Sequence, residues 1–271
     1  MVVDYALHWG EYDIHDDVLQ MVESERRLYR DGVGNSFFRM MFENGKGSIM
    51  TAKKVLCLHG YGMCSDWLRE WLTPVEQQLD GRVRFIYPQG PIECPAAEVL
   101  VMAERFKAGM PARRIGPGMN WCWYRASDEK PPQYVGMEMA FDYLADVFAQ
   151  EGDIEGVIGW SQGAVMAALL AGDMLRNPDS KFRFNWVMPC GGFVPGDRRY
   201  RTWFDEPLNL PSLHVIGERE SEFMLKQGSK LVSAFKNSER LDTPAGHVLP
   251  IKYPDYMARI ADWIAARLGA L

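Results

Sequence analysis

Gly159-Trp160-Ser161-Gln162-Gly163 is the part of this 271-residue chain whose residue types and spacing could do chemistry. Upstream, Gly156-Val157-Ile158 reads as the end of a buried strand; downstream, Ala164 to Gly172 (AVMAALLAG) reads as a well-packed helix. A strand, a sharp turn with serine at its apex and a helix present a hydroxyl oxygen as a nucleophile toward a carbonyl carbon. The glycines follow from sterics, since side chains two positions before and after a strained serine would collide with the strand or the helix. The helix also points its N-terminal N–H groups at the place where negative charge develops during attack. A bare G-x-S-x-G arises by chance in about one chain in ten of this length, and the flanking strand and helix remove most such matches.

A serine nucleophile needs a base, and the base needs an orienting acid. When serine is presented this way, the three follow in the order Ser, Asp/Glu, His. Five histidines are present, and two of them lie beyond Ser161. His214 belongs to the apolar strand pattern Leu213-His214-Val215-Ile216, which makes it a packed strand residue. His247 ends the turn-rich Thr243-Pro244-Ala245-Gly246-His247 stretch, a loop from which an imidazole can reach a serine at the strand ends, and it is the candidate base. Between them, the strand ending at Gly217 runs into Glu218-Arg219-Glu220-Ser221-Glu222. A carboxylate there can accept the imidazole N–H and stabilise the imidazolium. Glu218, Glu220 and Glu222 compete for that role, against the alternative of a solvated acidic loop. Glu220 is preferred on its spacing from Gly217.

Stabilising a tetrahedral oxyanion takes a second N–H besides that of Gln162. Lys53 to Gly62 (KKVLCLHGYG) is a strand entering a glycine-flanked turn, which makes the Tyr61 N–H the expected second donor and His59 a brace of the loop.

The order of these motifs resembles that of the FSH family of serine hydrolases. That family is a branch of the α/β-hydrolases which includes fungal esterases and thioesterases releasing polyketides from acyl carriers. The likeness covers about residues 50 to 271. VLCLHGYG resembles the family's opening strand and oxyanion loop, GDIEGVIGWSQGA its nucleophile segment, CGGF (Cys190 to Phe193) the strand end beside the site, LPSLHVIGERE its acid loop and PAGHVLP its histidine loop. Asn120-Trp121-Cys122-Trp123-Tyr124-Arg125 resembles the aromatic segment that members carry near the acyl site. The family places aspartate three residues after the glycine, where this chain has Glu220. The resemblance implies an α/β-hydrolase fold with a mostly parallel sheet, and a Ser161-His247-Glu220 triad with the N–H groups of Tyr61 and Gln162 as the oxyanion hole. It also implies a substrate pocket touched by Trp121, Trp123 and Phe193, and no metal or organic cofactor. The expected substrate is a small-molecule acyl ester or thioester, with an acyl carrier protein as a candidate partner. Non-hydrolytic acyl transfer or cyclisation in the same pocket, and a catalytically silent binding protein, are the alternatives.

Composition agrees. With 47% hydrophobic residues the chain can fill one α/β core. A net charge of −6 and the absence of a basic block argue against nucleic acid. Five cysteines with no C-x-x-C pair predict a reducing compartment, and neither a disulfide framework nor a zinc site is expected. No apolar run reaches membrane-spanning length, and the N-terminus lacks a signal-like pattern, so the cytoplasm is the default location.

Positioning elements can be read from apolar runs. Residues 53–59, 83–87, 156–160, 184–189 and 212–216 read as buried strands, separated by helical patterns at 135–150 and 164–176, with 256–268 closing the chain. This alternation predicts a mostly parallel sheet covered on both faces. Residues 91–132, rich in proline and carrying Trp121, Trp123 and Tyr124, form an insert that is either a lid or pocket wall or a cap on the sheet edge. Residues 1–49 precede the likeness. They hold an amphipathic pattern at 18–29 and the apolar Phe37-Phe38-Arg39-Met40-Met41-Phe42, which could dock on the hydrolase domain, pair two subunits as a homo-oligomer or cover the active-site mouth. A mistaken gene start is the bland alternative.

Overall fold

In the computed structural model of the protein, residues 52–105 and 114–268 are described. The expectations for residues 1–49 lie outside the described residues.

Strands β1 (Lys53–Leu58), β7 (Ile154–Trp160) and β8 (Trp186–Cys190) are continuous apolar runs, buried over nearly their whole length. Such strands need cover on both faces, which selects parallel pairing with crossover helices. With β2 (Val83–Ile86), β9 (Leu208–Gly217) and β10 (Phe235–Thr243) they form one six-stranded sheet in the order β10-β9-β8-β7-β1-β2. Every pairing within it is parallel. The helices divide between its faces. Helices α1 (Ser65–Leu79) and α7 (Pro254–Ala265) pack Trp67, Leu68, Leu72, Val75, Met257, Ile260 and Ile264 into one apolar layer. On the other face, α3 (Met137–Glu151) and α4 (Gln162–Arg176) contribute Leu144, Phe148 and the run Val165–Ala171. Helix α4 is buried from Gln162 to Asp173, as its lack of a polar face requires.

The strand order decides where chemistry can occur. From β1 the chain moves outward to β2, then returns to place β7 on the other side of β1 and continues to β8, β9 and β10. Strands β1 and β7 therefore flank the switch point of the sheet. The loops leaving their carboxyl ends diverge there to opposite faces and open a crevice. Their register pairs Leu58 with Gly159, so the two strands end side by side.

The insert folds as small antiparallel units. Strand β3 (Ile92–Glu93) pairs with β4 (Trp121–Cys122), β5 (Arg125–Ala126) pairs with β6 (Tyr134–Val135), and α2 (Ala96–Arg105) follows β3. An isolated antiparallel bridge between Met63 and Trp121 is one of the links between this insert and the loop after β1. Two further α-helices, the short α5 (Arg198–Arg201) and α6 (Glu222–Ser233), and a 3-10 turn at Thr202–Phe204 complete the described elements. Among the described residues no helix is long and apolar enough to cross a membrane, and the five cysteines are free thiols.

Two histidines are locked inside this frame. His214 on β9 is 2% exposed, lies 3.1 Å from the Ser212 hydroxyl and meets the Phe235 ring edge-on. Burial, helped by the Arg240 charge, lowers its pKa from 6.5 to about 3. His59, wholly buried after β1, is lowered by burial from 6.5 to about 4. Both rings stay neutral in the fold at pH values where the unfolded chain would protonate them. Stability contributed by the neutral rings is complete above the unfolded value and is lost as pH falls toward the folded values. Between about pH 6 and 4.5 the unfolding free energy should fall by up to about 2.7 kcal/mol per pH unit for the pair. Denaturant titrations across this range measure the slope, and His214→Asn should reduce it by about half; an unchanged slope would show that His214 takes no proton on unfolding.

Candidate active site

Ser161 sits between β7 and α4 with φ 53° and ψ −112°, a positive φ on a residue with a side chain. Its own N–H donates to the Cys190 carbonyl at 2.8 Å, and its carbonyl accepts from Ala164 and Val165, the first turn of the helix. Strand and helix approach so closely here that neither flanking position could carry a side chain. A Cβ at Gly159 would lie 2.1 Å from the Gly163 carbonyl oxygen, and one at Gly163 would lie 2.0 Å from that of Leu58. The steric expectation for this motif is met by backbone atoms, which cannot rotate aside. The hydroxyl is thereby presented just beyond the carboxyl end of β7, where His247 meets it.

His247 reaches the same point from the loop after β10. Its Nε2 lies 2.9 Å from the Ser161 Oγ, and its Nδ1 lies 3.1 Å from the Glu220 Oε2. The His247 and Glu220 side chains are only 7% and 3% exposed, so little water competes for these contacts. A carboxylate only accepts hydrogen bonds, which places the imidazole proton on Nδ1 and leaves the Nε2 lone pair to accept from the serine hydroxyl. Of the three glutamates, Glu220 is the one brought to the histidine; Glu218 and Glu222 are exposed. The two loops run together because β9 and β10 end in register, Gly217 beside Thr243. Beyond that pair, the Glu218 N–H donates to the Thr243 carbonyl at 2.8 Å and the Arg219 N–H to the Ala245 carbonyl at 3.0 Å. Gly191, with φ 57°, leaves room above this pair: a Cβ there would lie 3.3 Å from Glu220 Oε1 and 3.2 Å from His247 Cε1.

Sequence reasoning gave Trp160 no role, yet its indole stands beside the imidazole, with ring centroids 5.0 Å apart and the planes tilted by 43°. The edge of Trp71 meets Trp160 on another side, and a Cβ at Gly60 would lie 2.3 Å from its six-membered ring. Trp160 is thus wedged between the loop after β1 and His247. Only the three-dimensional packing reveals this, because its partners come from Gly60, Trp71 and His247, far apart in the chain.

His59 braces the loop after β1, as expected. Its Nδ1–H donates to the Gly60 carbonyl at 2.8 Å, while Nε2 accepts from the Gly90 N–H at 2.8 Å and meets the Gln89 side-chain amide at 3.0 Å. Those contacts use both ring nitrogens in a neutral tautomer, consistent with the depressed pKa. Tyr61 and Gln162 each stand three residues beyond the last paired residues of β1 and β7, Leu58 and Gly159. Among the described residues, neither backbone N–H has an intramolecular acceptor. The half-buried Tyr61 side chain turns away to the insert, where its hydroxyl lies 3.3 Å from Glu98.

The residues expected at the substrate pocket separate into two groups. Trp123 has no exposed surface; its Nε1–H donates to the His59 carbonyl at 2.8 Å and its ring lies against that histidine, with centroids 5.1 Å apart. Such a ring is a buried support under the loop after β1. Trp121 and Phe193 are partly exposed. The Trp121 indole N–H bonds the Gly118 carbonyl at 3.2 Å, and Phe193 packs on the apolar layer beside α4.

The serine hydrolase (FSH1) family model matches residues 49–258 of this chain. Esterase OVCA2 of Xenopus tropicalis is 28% identical over 208 residues, 74% of this chain and 87% of that protein. Esterase OVCA2 of Homo sapiens is 28% identical over 216 residues, 76% and 92% respectively. An uncharacterized hydrolase of Schizosaccharomyces pombe is 27% identical over 220 residues; these make up 79% of this chain but span only about half (51%) of that relative's length. Among solved structures, acyl-protein thioesterase 2 of Zea mays aligns with a TM-score of 0.59 at 20% identity, over 83% of this chain and 96% of that one. Arabidopsis thaliana SOBER1 aligns with a TM-score of 0.53 at 18% identity, over 80% and 100%. At such identities the structural likeness establishes the α/β-hydrolase fold. With the family match running from the residues before β1 into α7, through every segment that builds the Ser161 crevice, the chain belongs to the FSH1 family of serine hydrolases.

Proposed function

We propose that the protein hydrolyses an acyl ester or thioester through Ser161, His247 and Glu220, with the Tyr61 and Gln162 N–H groups as the oxyanion hole. The observation that carries this reading is the unbroken series of contacts from Ser161 Oγ through His247 to Glu220 at the sheet's switch point. In the proposed reaction Oγ bonds to the carbonyl carbon while its proton passes to His247 Nε2. The carbonyl oxygen becomes an oxyanion held by the two N–H groups, and the Gln162 donor gains from its place at the start of α4. Collapse expels the alcohol or thiol, which leaves with the proton from Nε2. Water then attacks the acyl-enzyme by the same route, and the acid departs. Glu220 stabilises the imidazolium in both halves, and the Trp160 ring, its centroid 5.0 Å from that of the imidazole, adds a cation–π contribution to the same charge.

Ester and thioester remain joined in this proposal because both use every one of these groups. Relatives named as esterases favour an oxoester, and the fold shared with an acyl-protein thioesterase leaves room for a thioester. Release of a polyketide or fatty acyl chain from an acyl carrier protein, as the family resemblance suggests, is the most specific form of the proposal. The free thiols fit the proposed reducing, cytoplasmic setting. A silent binding protein has no need for three groups held at bonding distance, which disfavours that alternative. Acyl transfer to an alcohol or amine differs only in what displaces water.

Ser161→Ala should abolish fluorophosphonate labelling and lower turnover by about 10⁴-fold or more while the protein stays folded; wild-type turnover in that variant would overturn the mechanism. Glu220→Gln keeps the shape and removes the charge, and should cost about 10²- to 10⁴-fold in kcat. Glu218→Gln and Glu222→Gln should cost little, and the reverse pattern would move the acid role elsewhere. Trp160→Leu should lower kcat by about 2- to 30-fold and Trp160→Phe by much less, the range expected for a lost cation–π contact; equal effects of the two would remove Trp160 from the charge argument. A panel of oxoesters and acyl thioesters of graded chain length, read as kcat/KM, decides the leaving group, and product analysis with added alcohols or amines separates hydrolysis from acyl transfer.

A further inference from the structure

The two amides assigned to the oxyanion hole stand on separate segments, and β-pairing between those segments ends at Leu58 and Gly159. Tyr61 and Gln162 lie three residues further on, where no ladder fixes their separation. An oxyanion hole works only when both donors stand about 2.7–3.1 Å from one oxygen, so some other element has to set that spacing.

Hydrogen bonds from one short run of the insert, Asn120 to Tyr124, reach both segments. Toward the Tyr61 side, the Asn120 Nδ2 donates to the Gly62 carbonyl at 2.7 Å and the Gly62 N–H donates to the Trp121 carbonyl at 2.8 Å. The Trp121 N–H donates to the Met63 carbonyl at 3.1 Å, and the Trp123 indole N–H donates to the His59 carbonyl at 2.8 Å. Residues 59, 62 and 63 are thereby tied on both sides of Tyr61. Toward α4, the Trp123 N–H donates to Gln162 Oε1 at 2.9 Å and Gln162 Nε2 donates to the Tyr124 carbonyl at 2.7 Å. The Gln162 side-chain amide is therefore held by both its oxygen and its nitrogen, on the residue whose backbone N–H is the proposed oxyanion donor. Asn120 and Trp123 have no exposed surface and Gln162 is 6% exposed, so water does not loosen these bonds. Asn120 is itself fixed, donating to the Arg114 carbonyl at 2.9 Å and accepting from the Gly116 N–H at 2.9 Å.

We infer that Asn120–Tyr124 is a strap that sets the distance between the Tyr61 and Gln162 N–H groups, and that the Gln162 side chain and Trp123 are positioning residues for transition-state stabilisation. This rests on the proposed oxyanion hole. A residue that only fills the core changes stability and weakens all states of the site alike. A residue that sets the donor spacing changes the stabilisation of the oxyanion and leaves ground-state binding in place.

The variants are Gln162→Met, which keeps length and removes both bonds, Gln162→Glu, which keeps an acceptor for Trp123 and loses the donor to Tyr124, and Trp123→Phe, which removes the bond to His59. Each is measured for kcat and KM on a p-nitrophenyl acyl ester and for inhibition by a trifluoromethyl ketone and by the matching methylene ether. The ketone gains a bond from Ser161 Oγ, the hydroxyl proton passes to His247 Nε2, and its oxygen becomes the anion in the hole. The ether offers no carbonyl and reports ground-state binding. Gln162→Met should lower kcat by about 10- to 10²-fold with KM within about threefold, a fraction of the loss expected for deleting a whole donor. Affinity for the ketone should fall by the same factor, with the ether unaffected. Gln162→Glu and Trp123→Phe should fall between this variant and the wild type, and they carry the test if Gln162→Met fails to fold. Wild-type kcat and ketone affinity in the folded variants would overturn the strap, as would a loss shared equally by ketone and ether. The two levels separate cleanly: an active Ser161→Ala enzyme defeats the acyl-enzyme reading itself, whereas an inactive Ser161→Ala beside unaffected Gln162 and Trp123 variants defeats the strap alone.

Discussion

Close approach of three backbone segments at the switch point governs the rest of the architecture. Leu58 at the end of β1, Gly159 near the end of β7 and Gly163 in the first turn of α4 meet at distances that leave no space for a side chain. The Ser161 backbone is held at positive φ in the middle of this contact, a conformation that costs of order 1–3 kcal/mol and persists only where the surroundings over-determine it. They do so here through the buried α4, the Cys190 carbonyl on the neighbouring strand and the packed layers on both faces of the sheet. The same compression that strains the serine lifts its hydroxyl out of the sheet and keeps the helix N-terminus directly behind it.

Around that fixed point the remaining groups arrive from elements held less tightly. His247 and Glu220 come from loops at the far side of the sheet, and the matched ends of β9 and β10 bring them together before either meets the serine. Gly191 leaves them room from β8 and Trp160 supports the imidazole from β7. The insert has a different part in this assembly. Its buried portion belongs to the site's foundations, whereas the helix α2 exposes Leu100 and Val101 to solvent. A segment that read from composition as either lid or cap divides into a supporting strand and an outer part.

Much of this was legible in the sequence because the decisive signals are local. Glycine spacing about Ser161, the apolar runs of β1, β7 and β8 and the glycine-flanked turn after β1 all act within a few residues of themselves. The choice among three glutamates rested on turn length after Gly217, which the backbone realises with a bond from the Glu220 N–H to the Gly217 carbonyl at 3.1 Å. Two core elements escaped for physical reasons. β10, FKNSERLDT, is an edge strand facing solvent along much of its length, so its polar pattern hides its pairing with β9. Helix α1 carries Pro74 in its interior, a residue that argues against a helix on local grounds and is overridden by the burial of Trp67, Leu68, Leu72, Val75 and Leu79. The supports of the site, Trp160 on His247 and the Gln162 amide on the insert, were invisible for another reason: each depends on partners from distant parts of the chain.

The placement of β7 beside β1 has a consequence for how the chain reaches its working state. These strands are separated by about a hundred residues of sequence, and parallel pairs with such long loops form late because loop closure must come before the contacts that reward it. Strand β1 can find β2 early, since only α1 intervenes, but the strained turn at Ser161 has nothing to enforce it until β1, β7 and β8 lie together. A chain still folding, or one that has partly opened, therefore relaxes this turn and loses the geometry that makes the hydroxyl unusual. For the proposed nucleophile this would make reactivity at Ser161 a late-appearing property of the finished sheet, and the rate at which labelling competence returns after dilution from denaturant would then be a clock for the joining of its two halves.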